Sequence, residues 1–201
     1  MTAALPKKVT EYLAEVNYSD NNGFVPSTFS LEMVNLIKLI DGGMTENITP
    51  PVHLKILDSY VDVSGKDVIN LCHRGMAKTS LMEYLIFRIA LYGELPSLGK
   101  IPHMIYVGDT IDGGVKKMRK ALEFKFNNSD FLQQYLQEVK FTDIRWEFIR
   151  KDGTSLVVSA YGGKTNITGT RANGSRPILA LLADIITHAA ARSPTEIENI
   201  K

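Results

Sequence analysis

Residues 68–80 read VINLCHRGMAKTS. The apolar residues at 68–71 predict a buried β-strand, and a short turn ending in Lys78-Thr79 follows it. Backbone N–H groups in such a turn, together with a lysine ammonium and a threonine hydroxyl, can hold a triphosphate and its Mg²⁺. The stretch therefore predicts a nucleotide-binding loop, formed by Cys72, His73, Arg74, Gly75, Met76, Ala77, Lys78, Thr79 and Ser80.

The loop departs from the phosphate-loop pattern G-x-x-x-x-G-K-[ST] at both glycines. Cys72 stands at the first glycine position and Ala77 at the second, so only Lys78-Thr79 and the spacing agree fully. A Lys-Thr pair after a strand is equally compatible with a purely structural loop. The context favours the phosphate loop, because residues 79–92 carry an apolar helical pattern that points a helix N-terminus at the anion.

The composition is that of an ordinary globular protein. The chain has 201 residues, of which 44% are hydrophobic and 22% charged, enough for one domain with an appendage. A single cysteine excludes an intramolecular disulfide, and the four histidines lack the spacing of a zinc site. We find no apolar run of about 18 residues and no signal peptide, so we expect no membrane association. The net charge of +1 gives no overall attraction to nucleic acid.

The dipeptide Pro50-Pro51 marks a boundary in the chain. Residues 8–16 and 30–40 show helical patterns, which predict an N-terminal helical appendage over residues 1–50. Residues 51–201 predict an α/β core.

Strands and helices alternate along this core. The predicted strands are 104–107, 145–150, 155–161 and 178–182, and the predicted helices are 53–61, 79–92 and 114–126. Two successive strand–helix units favour a mainly parallel central sheet flanked by helices. Asp152-Gly153 is a hairpin turn signal, and the apolar run 178–182 predicts a central buried strand.

Asp184 follows that last strand, directly after Ala183. Because reactive groups in open α/β sheets gather at the carboxyl ends of strands, we expect Asp184 beside the loop, where it can hold Mg²⁺. The alternative is that it caps the following turn. A helix predicted to start at Ser193-Pro194 has little length before Lys201, which suggests a fragment of a longer protein.

Three motifs together resemble the ATPase domain of the large terminase subunit of tailed bacteriophages. They are HRGMAKTS at 73–80, GGKTNITGTRANGSRP at 162–177, and the apolar strand that ends in an acid at 184, followed by ARSPTEIEN at 191–199. The resemblance covers about residues 50–201 and includes Arg74, four residues before the loop lysine. It implies a P-loop NTPase fold of the RecA/ASCE-like type, cut off before the family's coupling motif and nuclease domain, so we expect no nuclease activity.

The resemblance also implies roles for individual residues. Lys78 would bind the β- and γ-phosphates of ATP, and Thr79 and Asp184 would hold Mg²⁺. Residues 75–77 would donate backbone N–H groups, and Arg74 would stabilise the γ-phosphate in cis.

Four further side chains have roles that stay open. Arg171 and Arg176, in the glycine-rich stretch, would approach the nucleotide or a neighbouring subunit, or are simply exposed loop charges. His53 or Tyr60 would contact the adenine, although no spacing identifies either.

The chain departs from the family at Ala183. The family's acidic motif normally ends in two adjacent carboxylates, one for the metal and one for the attacking water, whereas this sequence has Ala183-Asp184. A methyl group can neither coordinate Mg²⁺ nor accept a proton. We therefore expect a chain that binds ATP and hydrolyses it slowly.

The implied activity is ATP hydrolysis that drives double-stranded DNA into a capsid. The implied partners are the DNA, the capsid portal, the small terminase subunit and further copies in a ring, which multiplies weak contacts. The expected location is the host cell cytoplasm, at the procapsid.

Two other classes of protein stay open. One is a P-loop kinase or a helicase-like NTPase, although the sequence lacks an arginine-rich lid after the third strand. The other is a non-catalytic DNA-binding module that uses the basic helix at 114–126, although charge runs on helices usually serve solubility. The basic residues of that helix are Lys116, Lys117, Arg119, Lys120 and Lys125.

Overall fold

The computed structural model describes residues 23–42, 49–61 and 67–185. The predicted helices at 8–16 and from 193 onward lie outside these ranges. The helices are α1 (Thr28–Ile40), α2 (Pro51–Ser59), α3 (Lys78–Tyr92), α4 (Lys116–Asn127) and α5 (Asp130–Tyr135), and a π-helical turn (Ile111–Val115) leads into α4. The strands are β1 (Glu94–Leu95), β2 (Gly99–Lys100), β3 (His103–Gly108), β4 (Leu136–Phe141), β5 (Arg145–Arg150), β6 (Ser155–Gly162) and β7 (Leu179–Leu182).

Five strands form one mixed sheet in the order β4-β5-β6-β3-β7. β6, β3 and β7 are parallel, with Met104 opposite Leu179 and Val107 opposite Leu182, whereas β4, β5 and β6 are antiparallel. The predicted hairpin explains the antiparallel half, because Gly153 takes φ +80° in the tight turn between β5 and β6. The α/β class is confirmed, and the expectation of a mainly parallel sheet is wrong.

A continuous apolar core joins the helices to one face of the sheet. α3 is buried along almost its whole length, as expected of a helix that is apolar on all sides. Phe87 of α3 meets Phe148 of β5 edge-on at 5.7 Å between ring centroids, and Tyr106 lies 5.6 Å from Trp146 within the sheet. α1 packs into the same core and contacts both α2 and α3. The division of the chain at residue 50 stays a prediction.

Two strand predictions need correction. Residues 68–71 form no strand, and Leu71 is 90% exposed. Residues 178–182 do form β7, but among the described strands β7 lies at the edge of the sheet and not at its centre. Both errors have one physical cause. An apolar run shows that its side chains favour burial, but it does not show which other segment of the chain packs against them.

No helix in the described ranges combines the length and apolar character needed to cross a membrane.

His103 connects the beginning of β3 to two neighbouring segments by hydrogen bonds. The ring is fully buried, with Nδ1 3.1 Å from the carbonyl oxygen of Ser175 and Nε2 2.9 Å from the hydroxyl of Ser159. A carbonyl can only accept, so Nδ1 carries the proton and Nε2 accepts from Ser159. The neutral ring therefore satisfies both partners.

We expect His103 to make folding stability depend on pH. Burial, and to a smaller extent Arg145, lowers the pKa of His103 below its ordinary 6.5, and the bond to Ser175 only partly opposes this. Because the unfolded chain then takes up the proton first, the free energy of unfolding falls as pH drops through about 6.5. Urea unfolding at about pH 7.5 and about pH 5.5 should show a larger loss in the parent than in His103→Gln.

Equal losses in the two proteins would contradict this assignment. The loss of stability in the parent must be compared with the loss in the variant, because Glu83 makes the free energy of unfolding depend on pH in the opposite direction. Burial raises the pKa of Glu83, so that carboxyl favours the folded state increasingly as pH falls toward its ordinary value of 4.5.

Candidate phosphate-binding site

A tight turn at residues 74–76 carries the chain into α3. Gly75 takes φ +92° and faces open space where a side chain would lie, and Ala77 takes φ +52° as the N-cap residue of α3. Both conformations lie in the left-handed region, which glycine adopts without strain and alanine does not. The predicted order of loop and helix is therefore present, with Ala77 strained at the junction.

The N-terminus of α3 lacks a side-chain cap. Ala77, the N-cap residue, has no polar side-chain atom and so accepts no hydrogen bond from the N–H groups of the first helical turn. Thr79 and Ser80, the next residues of that turn, are exposed. The first N–H groups of a helix carry partial positive charge and need acceptors, so this end of α3 suits an anion.

The ammonium of Lys78 is hydrogen-bonded to the backbone of its own loop. Nζ donates to the carbonyl oxygens of Cys72 at 2.8 Å and His73 at 3.1 Å. An ammonium has three donors, so one stays available for a phosphate oxygen in this arrangement. The loop backbone and Lys78 thus hold one another in place beside the helix N-terminus.

The other loop residues differ in their exposure to solvent. His73 and Arg74 are exposed, and Nδ1 of His73 lies 2.6 Å from the carbonyl oxygen of Arg74. Cys72 is half-buried and packs against the core, and Met76 is half-buried as well. Within the described ranges the Arg74 guanidinium forms no ion pair, which leaves it available to a ligand.

Asp184 lies two residues beyond β7. It is exposed at φ +48°, and the preceding Ala183 donates its N–H to the Val107 carbonyl at 2.9 Å. Burial, and after it the charges of Asp184, Asp109 and Glu83, raises the pKa of the Tyr106 phenol.

Asp109 is a candidate that the sequence analysis did not select. It follows β3 as Asp184 follows β7, and its Oδ1 accepts from the N–H of Thr110 at 2.7 Å. Gly114 makes room for this carboxylate, because a Cβ there would lie 2.6 Å from Oδ1. The signal that would have found it is the meeting of parallel strands at their carboxyl ends.

Arg171 and Arg176 belong to the segment between β6 and β7. They flank a tight turn at residues 172–175, in which Asn173 and Gly174 both have positive φ. That turn is tied to the starts of β6 and β3, through the Asn173 amide on Ser155 and through His103 on Ser175. Arg176, next to Ser175, therefore lies near the start of β3, whereas Thr170, next to Arg171, is hydrogen-bonded to Tyr161 near the end of β6 at 2.9 Å. Contact of the two arginines with nucleotide or a neighbouring subunit stays a prediction.

α2 approaches the segment before the loop. The Asn70 amide donates to the Ser59 hydroxyl at 2.9 Å, which joins the end of α2 to residues 68–71. His53 and Tyr60 belong to the same region and are partly buried, and burial lowers the pKa of His53. Their adenine contact stays a prediction.

The basic helix gives little support to a DNA-binding module. In α4, Lys116 pairs with Asp112 at 2.7 Å, Arg119 lies 3.8 Å from Asp143, and Lys125 lies 3.6 Å from Glu83. Of the five basic residues of this helix, only Lys117 and Lys120 lack ion pairs within the described ranges. Three of the five basic side chains are therefore paired within the chain, and the DNA-binding module stays a hypothesis.

The described residues contain no group of three or more His, Cys, Asp or Glu side chains suited to a metal ion. A magnesium ion here would depend on Thr79, Asp184 and the oxygens of the nucleotide itself. Mg²⁺ commonly binds through one or two protein oxygens, phosphates and water, and both of these side chains offer oxygen ligands.

Comparison of the chain with protein-family models, with curated proteins and with solved structures gives no match. The candidate site therefore depends on the loop motif and on the geometry above.

We expect Ala77→Gly to stabilise the protein. Glycine removes the left-handed strain at φ +52°, which costs an alanine about 1 kcal/mol. Urea unfolding should show a higher free energy of unfolding, by up to about 1 kcal/mol. Ala121→Gly, inside α4, is the matched control and should lose about 1 kcal/mol, because its backbone is helical. Equal destabilisation by both changes would contradict the assigned loop conformation.

Proposed function

We propose that this chain is the ATPase part of a DNA-packaging motor of the large terminase type. The observation that carries the proposal is the convergence of the Lys78 ammonium and the uncapped N-terminus of α3 on one loop. Two sources of positive charge at one tight turn suit a polyphosphate. The terminase motifs at 73–80 and 162–177 add the specific class of motor.

A P-loop NTPase fold is part of the proposal. Its support is the parallel half of the sheet, in which β3 and β7 run side by side and end at Asp109 and Asp184. Ligands of open α/β sheets bind at such carboxyl ends. The helix that carries the loop packs on the same sheet.

Each residue has a distinct task in the proposed reaction. The Lys78 ammonium and the first N–H groups of α3 bind and orient the phosphates. Arg74, which is exposed, offers its guanidinium to the charge that develops on the γ-phosphate. Thr79 and Asp184 would hold Mg²⁺, which when bound neutralises phosphate charge.

The carboxylate that activates water is missing at position 183. The Ala183 side chain is almost buried and offers only a methyl group, so it cannot orient or deprotonate a water molecule. The proposal therefore includes ATP binding with slow hydrolysis. Coupling to double-stranded DNA, the portal and the small terminase subunit depends on assembly of several copies in a ring.

We expect Lys78→Ala to weaken binding of ATPγS at least about tenfold, because one charge-assisted hydrogen bond to phosphate contributes about 1.5–3 kcal/mol. Titration calorimetry with Mg²⁺ present measures the affinity. Lys151→Ala, in the exposed hairpin turn after β5, is the control and should bind like the parent. Unchanged affinity in Lys78→Ala would refute the proposed site.

We expect Ala183→Asp to raise the turnover of ATP at least about tenfold, since a positioned general base contributes about 10²–10⁴ in rate. Phosphate release under saturating ATP measures it, and circular dichroism checks that the variant is folded. Equal, brisk rates in parent and variant would show that another group already orients the water. Transfer of labelled phosphate to a small acceptor would instead favour a kinase.

A further inference from the structure

A short hairpin between β6 and β7 brings two arginines side by side. Ala172 and Ser175 form an isolated antiparallel bridge, and each donates its N–H to the carbonyl of the other, at 3.0 Å and 2.8 Å. The turn at residues 173–174 has the sequence Asn-Gly and positive φ at both positions, which is typical of a two-residue hairpin loop. Arg171 and Arg176 flank the bridge, so their Cα atoms lie opposite each other, about 5 Å apart.

Both arginine side chains are on the outer side of this hairpin. Successive side chains of an extended chain alternate between its two sides. Ala172 is buried against the protein, whereas its neighbour Arg171 is exposed. Arg176, opposite Arg171, is exposed as well. The outer side of the hairpin therefore presents a pair of guanidinium groups to solvent.

Hydrogen bonds to two strands of the sheet hold the hairpin in place. His103 of β3 donates to the carbonyl of Ser175 at 3.1 Å, and the Asn173 amide donates to the hydroxyl of Ser155 in β6 at 3.3 Å. The arginine pair thus has a fixed support. Such a support reduces the entropy that is lost when a ligand binds.

No carboxylate neutralises the two arginines. Residues 162–177 contain three basic residues and no acidic residue. Neither arginine forms an ion pair in the parts of the chain that the structure describes. Like charges opposite each other destabilise a pair of strands, and an anion between them relieves that repulsion. Because the donors of a guanidinium match the oxygens of a phosphate, the pair suits phosphate groups.

The rest of the segment favours the backbone of nucleic acid as the source of these phosphates. Thr165, Asn166 and Thr168 are exposed, and hydroxyl and amide groups commonly donate to the phosphates of DNA. A stretch of 16 residues without an acidic side chain offers no repulsion to a polyanion that runs along it.

We propose that the hairpin at residues 171–176 binds the phosphate backbone of double-stranded DNA, an inference that rests on the proposed function, which supplies the DNA. Arg171 and Arg176 donate to backbone phosphates and do not read the base sequence. The two arginines then serve the DNA, and neither the nucleotide nor a neighbouring subunit.

The test measures binding of a short fluorescently labelled DNA duplex by anisotropy over a series of salt concentrations, with ATPγS and Mg²⁺ present. Arg171→Gln/Arg176→Gln should weaken binding at least about tenfold at low salt and reduce the slope of log affinity against log salt by about 2, since two phosphate contacts are lost. Arg171→Lys/Arg176→Lys keeps the charges and should keep the slope. The matched control, Lys117→Gln/Lys120→Gln, removes the same charge from the exposed face of α4 and should bind DNA nearly like the parent.

Several results would overturn the inference while the proposed function stands. They are an equal loss of DNA affinity in the two glutamine variants, an unchanged salt slope in Arg171→Gln/Arg176→Gln, and no DNA binding by a parent that binds ATPγS. Tighter binding of poly-L-glutamate than of DNA would indicate an acidic protein partner instead. A loss of ATPγS affinity in Arg171→Gln/Arg176→Gln would assign the arginines to the nucleotide. Absence of ATPγS binding by the parent is the failure of the proposed function itself.

Discussion

The burial of α3 between α1 and the sheet is the constraint on which the rest of the structure depends. This helix is in contact with the core along almost its whole length, so its position is fixed by packing on several sides. The candidate phosphate loop is the direct N-terminal extension of α3, and the direction of the helix therefore decides where Lys78 and Thr79 lie. A loop on a fixed helix presents its N–H groups in a constant geometry, which is what recognition of an anion requires.

Several polar groups within this buried layer are paired with one another. Tyr84 donates to Asp41 at 2.7 Å and accepts from Lys125 at 2.9 Å, and Lys125 also lies near Glu83. The guanidinium of Arg88 lies 5.6 Å from the ring centroid of Phe29 in α1. Because these contacts join α1, α3 and α4, they restrict how the helices slide over one another, a specificity that apolar packing alone supplies less strictly.

The sequence was most informative where a local signal determined the structure. The hairpin at Asp152-Gly153 and the apolar helix after the loop were predicted nearly to the residue, because turn chemistry and helical periodicity are local properties. β4 was missed because its pattern is largely polar, with only Leu136 fully buried. The edge position of β7 was beyond prediction, since it depends on contacts between distant parts of the chain. For the candidate site, the turn and the helix start follow from the motif, whereas the place of Asp109 follows only from the strand order.

The π-helical turn at Ile111–Val115 sets the rotational phase of α4. Each residue of a helix advances by about 100°, so the wide turn decides that Met118 and Leu122 enter the core while Lys117 and Lys120 face water. Removal of a single glycine from Gly113-Gly114 would turn the whole helix by that angle and bring lysines against the apolar layer. The spacing between the two glycines and α4 thus decides which face of the helix is buried.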